Sequence, residues 1–453
     1  MDVDVLVVGA GPAGLTAAAE LRRLGVRRVL VADREAAPGG IPRHSHHAGY
    51  GLRDRHRVLS GPAYARALAD AATRAGAELR AGCTVTDVRA GAPGTGAGTG
   101  ARAGGDGLSC VLTSAAGIEE IRAAAVLLAT GCRERPRAAR LVPGDRPSGV
   151  LTTGELQQRV YLGGERLPGR ALVVGAEHVS FSAALTLAHA GARVLALVTD
   201  QPRPASYAAF RLGAALRWQV PVWTSTAVTR VTGAHGRLAT VDVEGGRART
   251  VACEWLVFTG DWIPDHVLAR TAGVMLDPGT LGPAIDTTMA TSAPGVFAAG
   301  NLVHAAETAD VAALSGRHAA RRIAAYLRAG RPDAKATPGP VAASALAAAS
   351  VSPGAPVPVI AEPPLRWVSP NAIAIAIGSG AGAVPPPLGR FAIRSAEFRQ
   401  RARLEAWQAG RLLTRSRSLP LIPGRPVHLR ASWLASVDPA GGPVRIGTEQ
   451  APS

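Results

Sequence analysis

The chain has 453 residues, of which 47% are hydrophobic and 18% are charged. This length and apolar content predict two or three globular domains with large cores, and they exclude a mainly disordered protein. The net charge of +17 comes almost entirely from arginine, since Lys335 is the single lysine. Because the arginines are scattered rather than gathered on one face, we expect no nucleic-acid partner. Coding bias explains most of this charge, and attraction of an anionic small-molecule substrate or an acidic protein partner is the alternative.

The sequence gives no sign of a membrane-spanning or secreted protein. No stretch approaches the 18 or more uninterrupted apolar residues that a membrane span requires, and an apolar strand starts at residue 3. We therefore expect no signal peptide and a cytoplasmic location. The chain has four cysteines, Cys83, Cys110, Cys132 and Cys253. They form no CxxC or CxxxxC motif, which argues against a metal site and a structural disulfide.

The first chemical signal is the loop Gly9-Ala-Gly11-Pro-Ala-Gly14, between a predicted strand at 3–8 and a predicted helix at 15–24. The first two glycines allow a tight turn and close approach to a pyrophosphate, and the third lets the helix pack on the strand. A second strand, Val29–Ala32, ends at Asp33, whose carboxylate can accept a hydrogen bond from a ribose hydroxyl. This arrangement predicts a dinucleotide site, with the phosphates at the start of the helix.

A polar loop at 44–57 follows Pro38-Gly39-Gly40, and it contains His44, His46 and His47. The pattern then predicts a helix at 61–75, short strands between 82 and 121, and a glycine-rich surface loop at 89–107. A strand at 126–130 ends at Gly131.

A second loop of the same kind, Gly175 to Ser180, lies between a predicted strand at 171–174 and a predicted helix at 179–190. A nicotinamide dinucleotide bound here would contact Gly175 and Ser180. Glu177 stands where the second glycine belongs, however, and it brings bulk and negative charge toward a pyrophosphate. NAD(P)H binding is therefore doubtful, unless Glu177 turns outward or pairs with an arginine such as Arg203.

These elements predict four regions. Residues 1–147 and 279–328 form the first dinucleotide-binding domain, and residues 148–278 form an inserted second one. Residues 329–357 are rich in Pro, Ala and Ser, which is typical of a linker. Residues 358–453 alternate apolar and polar positions, as at 371–377 and 426–433, which predicts a small C-terminal β domain.

Two motifs on either side of the inserted unit resemble those of the glutathione and thioredoxin reductase group of flavoproteins. They are Ala129-Thr130-Gly131 and Gly295-Val-Phe-Ala-Ala-Gly300. The resemblance implies an α/β, glutathione-reductase-like double Rossmann fold with FAD at the first loop. The chain departs from the group at Asn301, where an aspartate is usual, although an amide can still bond a ribityl hydroxyl. The implied FAD contacts are Gly9, Gly11, Gly14, Asp33, Gly40, Thr130, Gly131, Gly300 and Asn301.

A narrower resemblance rests on the segments 38–52, 61–64, 129–136 and 143–147. They are similar to the flavoproteins that accompany anaerobic glycerol-3-phosphate dehydrogenase. They also resemble the FAD subunits of opine oxidase, hydrogen cyanide synthase and heteromeric sarcosine oxidase. This resemblance implies electron transfer or amine oxidation, often with a partner redox subunit.

Glutathione reductase relatives keep a redox disulfide after Gly40, where this chain has histidines. An imidazole beside a flavin suits proton and hydride transfer, because histidine titrates near neutral pH. We therefore expect His44 or His47 to be catalytic, with solvent-exposed loop residues as the alternative. Cys132, Arg133, Arg135, His178, His304, Glu307 and Asp310 carry weaker hypotheses of substrate or cofactor contact.

The sequence thus predicts an FAD-dependent oxidoreductase that moves a hydride between flavin and NAD(P)H or a small organic substrate, without a redox disulfide. Two alternatives stay open. The chain could oxidise an amine or hydroxy acid without nicotinamide, or it could be an FAD-carrying electron-transfer subunit that is active only with a partner chain.

Overall fold

The computed structural model describes residues 1–90, 107–206, 220–305, 307–329, 354–376 and 382–449. Most of the predicted surface loop at 89–107 and of the predicted linker at 329–357 lies outside these residues. The α-helices in the described residues are α1 (Pro12–Arg23), α2 (Gly61–Arg74), α3 (Thr153–Tyr161), α4 (His178–Ala190), α5 (Val267–Thr271) and α6 (Ala309–Arg328). Short 3-10 helices occur at Ile41–His44, Arg137–Arg140, Gly300–Leu302, Pro387–Gly389 and Leu434–Ser436.

The strands of the first part of the chain are β1 (Asp2–Val8), β2 (Val29–Ala32), β3 (Ala48–Tyr50), β4 (Leu59–Ser60), β5 (Glu78–Arg80), β6 (Cys83–Ala90), β7 (Leu108–Ser114), β8 (Gly117–Leu128) and β9 (Cys132–Glu134). The first unit is built on a seven-stranded sheet in the order β5-β2-β1-β8-β7-β6, with one late strand added beside β8. Its central strands pair in parallel and are buried on both faces, which explains their nearly continuous apolar sequences.

The second unit has a five-stranded parallel sheet and a three-stranded antiparallel sheet. Its strands, followed by the strand that returns to the first sheet, are β10 (Val150–Thr152), β11 (Gly169–Val174), β12 (Ala192–Val198), β13 (Val222–Trp223), β14 (Thr226–Ala234), β15 (Arg237–Gly245), β16 (Arg249–Ala252), β17 (Trp255–Phe258), β18 (Trp262–Pro264) and β19 (Val296–Ala298). The parallel sheet runs β10-β17-β11-β12-β13, and β19 pairs with β8 of the first unit. An antiparallel pair, β9 and β18, marks the crossing between the units. The predicted double Rossmann fold is confirmed.

The C-terminal region is all β, as predicted, and has its own core that includes Phe391, Leu404 and Ile446. Its main sheets run β22-β20-β31-β27-β28 and β21-β25-β30. The strands are β20 (Val357–Ala361), β21 (Leu365–Ser369), β22 (Ala372–Ile373), β23 (Ile375–Ala376), β24 (Gly382–Ala383), β25 (Arg390–Ser395), β26 (Arg399–Ala402), β27 (Leu404–Gln408), β28 (Arg411–Arg415), β29 (Leu419–Leu421), β30 (Val427–Arg430) and β31 (Val444–Thr448).

This β domain docks on the first unit through residues 371–374. The Asn371 N–H donates to the Ile285 carbonyl at 2.9 Å, and the Asn371 amide oxygen accepts the Ile285 N–H at 3.1 Å. The Ala374 N–H donates to the Thr287 hydroxyl at 3.0 Å. Ala374 lies between two short strands, β22 (Ala372–Ile373) and β23 (Ile375–Ala376). In the described residues no helix is long and apolar enough to cross a membrane.

Candidate flavin and dinucleotide sites

The first glycine loop joins β1 to α1, and its three glycines have different surroundings. A Cβ atom on Gly9 would lie 2.5 Å from the Ala129 carbonyl oxygen, and one on Gly14 would lie 1.9 Å from the Gly9 carbonyl oxygen. A Cβ atom on Gly11 would meet no such neighbour within 4 Å. Packing of the protein itself therefore requires Gly9 and Gly14, whereas Gly11 borders open space that a pyrophosphate can enter.

Asp33 and Gly40 both lie against this loop. The Asp33 carboxylate accepts the Ala10 N–H at 2.5 Å and the Glu35 N–H at 2.8 Å. A carboxylate has about four lone-pair positions, so it can still accept a ribose hydroxyl. Gly40 has a φ of +60°, and a Cβ atom there would lie 2.9 Å from the Gly11 Cα. The structure thus brings the predicted acidic residue and the predicted second turn to the first loop.

Two further turns reach the same place. The Thr130 Cα would lie 3.4 Å from a Cβ atom on Gly9, and Gly131 has a φ of +77°. A Cβ atom on Gly300 would lie 2.8 Å from the Ala13 Cβ at the start of α1. The residues predicted to contact FAD at these turns are therefore gathered around one loop.

Asn301 has an additional structural task. Its amide oxygen accepts the Glu307 N–H at 3.1 Å, and its amide nitrogen donates to the Glu307 carbonyl at 3.2 Å. The side chain therefore holds the segment before α6, and its contact with a ribityl hydroxyl stays a prediction.

These surroundings fit FAD. Helix α1 begins directly after Gly11, so the first N–H groups of the helix, which have no partner within the helix, border the open space. Asp33 supplies an acceptor beside it. When bound, FAD supplies the group that accepts and donates a hydride, and the protein supplies position and electrostatics.

His44 lies on the 3-10 helix at Ile41–His44 and is only 4% exposed. Burial, and after it the charge of Arg43, lowers the pKa of His44 to about 4. The side chain of Gln157 on α3 partly offsets this lowering of the pKa, and in the described residues the Nδ1 of His44 has no hydrogen-bond partner. His44 is therefore neutral at pH 7, and it lies at the contact between the two units.

His47 has a different environment. It is partly exposed, its Nδ1 lies 2.8 Å from the Ala48 carbonyl oxygen, and its ring stacks on Tyr50 with centroids 5.1 Å apart. Tyr50 in turn stacks on Tyr64 of α2 at 5.7 Å. His47 therefore belongs to an aromatic stack, and the catalytic roles of His44 and His47 both stay predictions.

A buried pair next to this stack was not predicted from the sequence. The fully buried Tyr64 donates its hydroxyl proton to Asp54 at 2.9 Å. Burial, followed by the nearby charge of Asp54, raises the pKa of Tyr64, and burial also raises the pKa of Asp54. The Gly61-Pro-Ala-Tyr64 motif marked one partner, but the loop at 44–57 has no regular period from which the position of Asp54 could be read.

In the second loop the side chain of Glu177 folds back onto the start of α4. The Ser180 hydroxyl donates to Glu177 Oε2 at 2.9 Å, and the two residues form a capping box. Glu177 Oε2 would lie 2.8 Å from a Cβ atom on Gly175, and Oε1 would lie 2.6 Å from one on Gly260. The carboxylate thus fills the space between Gly175 and Gly260, and Ser180 is fully buried behind it.

The second loop would be free for a phosphate if Glu177 turned outward or paired with Arg203, and the structure shows neither arrangement. Glu177 points inward, where burial raises its pKa. The guanidinium of Arg203 lies 4.6 Å from the centre of the Phe398 ring rather than on Glu177. The charge of Arg140 interacts with Glu177, but its guanidinium donates to the carbonyl oxygens of Thr259 and Gly260 at 3.0 and 2.9 Å.

The C-terminal β domain covers this loop from outside. A Cβ atom on Gly424 would lie 3.7 Å from the Ala205 Cβ and 4.0 Å from the Glu177 Cγ. The contact of Arg203 with Phe398 adds a second attachment between the same two regions. The predicted contacts Gly175 and Ser180 are therefore screened by Glu177 and by a neighbouring domain.

All four cysteines are free thiols. Cys110 and Cys253 are fully buried, and burial raises the pKa of each to about 12. Cys132 is partly buried on β9, opposite Pro264 of β18. Across the described ranges, no group of three or more His, Cys, Asp or Glu residues is arranged to hold a metal ion.

Comparison with known proteins places this geometry in a family. The pyridine nucleotide-disulphide oxidoreductase family matches residues 3–316. An opine oxidase subunit of Agrobacterium tumefaciens is 27% identical over 354 residues, which are 72% of this chain and 66% of that protein. The hydrogen cyanide synthase subunit HcnB of Pseudomonas aeruginosa is 32% identical over 199 residues, 43% of this chain and 38% of that protein.

A solved structure agrees with these matches at the level of the fold. Thioredoxin reductase of T. acidophilum superposes with a TM-score of 0.58 and 20% identity, over 72% of this chain and 99% of that one. The chain spans about two fifths of HcnB and slightly less than two thirds of the opine oxidase subunit. The chain belongs to the pyridine nucleotide-disulphide oxidoreductase family and is an FAD-dependent oxidoreductase.

Proposed function

We propose that this flavoenzyme oxidises a small organic substrate, an amine or a hydroxy acid, and takes no electrons from NAD(P)H at its second loop. The observation that carries the proposal is the position of Glu177, whose carboxylate fills the loop between Gly175 and Gly260. One negative charge about 4 Å from a pyrophosphate charge costs roughly 4 kcal/mol at an effective dielectric near 20, or on the order of a thousandfold in affinity. A protonated Glu177 would still occupy the same space.

The C-terminal β domain supports the proposal independently of charge. The turn at Gly424 lies against Glu177 and Ala205, and Phe398 holds Arg203. A dinucleotide would have to displace both contacts to reach the start of α4. The domain therefore acts as a cover on the second loop.

His44 is the residue proposed to accept a proton from the substrate. It is neutral at pH 7 because burial lowers its pKa to about 4, and its Nδ1 has no partner in the described chain. A neutral ring nitrogen can accept a proton from a substrate N–H or O–H group. Gln157, whose side chain interacts with His44, is itself held by donating to the Ser182 hydroxyl at 3.0 Å.

A second candidate function is that of an FAD-carrying subunit that works only with a partner chain. Two observations favour it. The curated relatives are named as subunits of opine oxidase and hydrogen cyanide synthase. In addition, three large apolar side chains in or next to the loop at 44–57 are exposed. The exposed fraction is 47% for Ile41, 59% for Leu52 and 63% for Val58. Exposed apolar side chains of this kind occur at protein interfaces.

Anaerobic flavin spectroscopy of the purified, flavin-loaded protein tests both candidates. NADH and NADPH are added first, followed in separate samples by primary amino acids, secondary amines and 2-hydroxy acids. The proposal expects bleaching by one of these substrate classes and none by micromolar NADH or NADPH. Rapid bleaching by micromolar NAD(P)H would overturn it. A flavin that responds to no donor until a co-purifying partner chain is added would support the second candidate.

A further inference from the structure

A small cleft lies where the segment before α6 meets the C-terminal β domain. It encloses a cavity of about 50 Å³. Since one water molecule needs roughly 10–15 Å³ of such space, the cavity has room for a solute of a few heavy atoms. Met289, Val303 and Val311 form apolar parts of the wall, and Gly300, one of the predicted flavin contacts, also lines it.

Several residues that line this cleft carry buried polar atoms without partners. Glu307 and His304 line it from the first unit, and Arg390 and His428 line it from the C-terminal β domain. Glu307 Oε1, His304 Nδ1 and Arg390 Nε are buried and have no hydrogen-bond partner within the described part of the chain. Buried polar atoms are nearly always bonded, so residues with three such atoms around one cavity mark a candidate site for a polar ligand or water.

The charges around the cleft do not balance. Arg53 pairs with Asp310 at 3.8 Å, which leaves Glu307 as the carboxylate facing Arg390 and Arg394. The two histidines add no charge at pH 7, because burial lowers the pKa of His304 to about 3 and that of His428 to about 4. Arginine stays protonated in proteins. With Glu307 ionised, the cluster carries one positive charge in excess, and because burial raises the pKa of Glu307, its protonation would add to that excess.

We propose that this cleft binds a small organic carboxylate with a neighbouring N–H or O–H donor, an amino or hydroxy acid. The anionic group pairs with Arg390, because a guanidinium binds a carboxylate with high geometric specificity. The N–H or O–H donor pairs with the carboxylate of Glu307, which lines the cleft. The apolar wall limits the remainder of the molecule to a short side chain. That this ligand is the substrate of oxidation rests on the proposed function, whereas its binding does not.

Isothermal titration calorimetry on the flavin-loaded protein tests the site with four probes: glycine, glycolate, acetate and methylamine. Glycine or glycolate is expected to bind most tightly. Acetate lacks the donor for Glu307 and methylamine lacks the carboxylate, so both should bind more weakly. Changing Arg390→Gln removes a charge-assisted bond and should weaken glycine or glycolate binding by roughly tenfold to a hundredfold.

Two further variants keep the test decisive. Arg390→Lys preserves the charge without the forked donor geometry, so it should bind with intermediate affinity even if Arg390→Gln does not fold. Arg401→Gln makes the same charge change at an exposed position of the same domain, and it should bind as the wild type does.

Three results would overturn the proposal: no binding of any carboxylate, equal affinity in wild type and Arg390→Gln, or binding that appears only after the flavin is removed. The last would mean that the cofactor itself fills the cleft. The proposed function fails by a different result, the rapid reduction of the flavin by NAD(P)H. The two failures are therefore distinguishable.

Discussion

The Glu177 carboxylate accepts a hydrogen bond from the Ser180 hydroxyl at 2.9 Å, so an acidic side chain of the protein caps the start of α4. In a functional dinucleotide loop, the phosphates of the ligand take this place at the helix N-terminus. The second Rossmann unit thus keeps its fold while its own residue satisfies the helix end. This explains how a family defined by two dinucleotide domains can include a chain in which only the first loop borders open space.

The first prediction separates charge from bulk at this position. Glu177→Gly should bind NADH or NADPH at least tenfold more tightly than the wild type, because it removes both the charge and the filled space. Glu177→Gln removes only the charge and should improve binding less. Anaerobic titration of the flavin-loaded protein measures both, and Glu165→Gln, an exposed change in the same unit, is the control. Equal binding in wild type and Glu177→Gly would show that Glu177 is not the obstacle.

The second prediction concerns the first loop. Gly11 has a φ of −82°, which any residue can adopt, and a Cβ atom there meets no neighbour within 4 Å. Gly11→Val should therefore fold with a melting temperature close to that of the flavin-free wild type but purify without flavin, because the side chain enters the pyrophosphate space. The measurement is the ratio of flavin to protein absorbance. A yellow Gly11→Val protein would contradict the site assignment.

Gly14→Ala is the matched comparison. Its Cβ atom would lie 1.9 Å from the Gly9 carbonyl oxygen, so this variant should lose stability as well as flavin. The contrast between the two glycines isolates cofactor approach from packing of the protein.

The parts of this molecule that follow a regular pattern were predictable. Helix α4 was expected at 179–190 and is found at His178–Ala190, because apolar strand, glycine turn and helix recur in a fixed order in a Rossmann unit. The loop at 44–57 has no such period. The pairing of Tyr64 with Asp54 depends on long-range packing, and the sequence carries no local signal for it.

The contact by which the C-terminal β domain covers the second loop could not be predicted from the sequence either. The contact of Gly424 with Glu177 joins positions about 250 residues apart in the chain. The turn signal at Pro423-Gly424 predicts a bend but not what the bend touches. The same limit applies to the cleft between Glu307 and Arg390, since each residue lies in a different domain.

The third prediction is that turnover involves no disulfide. Cys132 is the one cysteine that is not fully or nearly fully buried, so it is the best candidate for redox chemistry. Cys132→Ser should keep its flavin content and its rate of flavin reduction within about twofold. A thiol assay in denaturant should find four thiols both in the reduced protein and after oxidation. The loss of two thiols in step with activity would contradict the prediction.

The last prediction concerns the pH dependence that His44 imposes. Its pKa is lowered from 6.5 to about 4 in the folded protein, so between these values the unfolded chain binds more protons than the folded one. The stability that a neutral His44 contributes is therefore complete above pH 6.5 and is lost as the pH falls toward 4, by up to about 3 kcal/mol. His44→Gln should flatten this part of the curve of unfolding free energy against pH, and the exposed control His235→Gln should not. Buried His304 and His428 contribute with the same sign, so the wild-type slope should decrease rather than vanish.

If His44 also accepts the substrate proton, His44→Gln should slow flavin reduction at constant FAD content, and the wild-type rate should fall near pH 4 rather than near pH 6.5. An unchanged slope and an unchanged rate in His44→Gln would show that the residue neither titrates with folding nor takes part in the reaction.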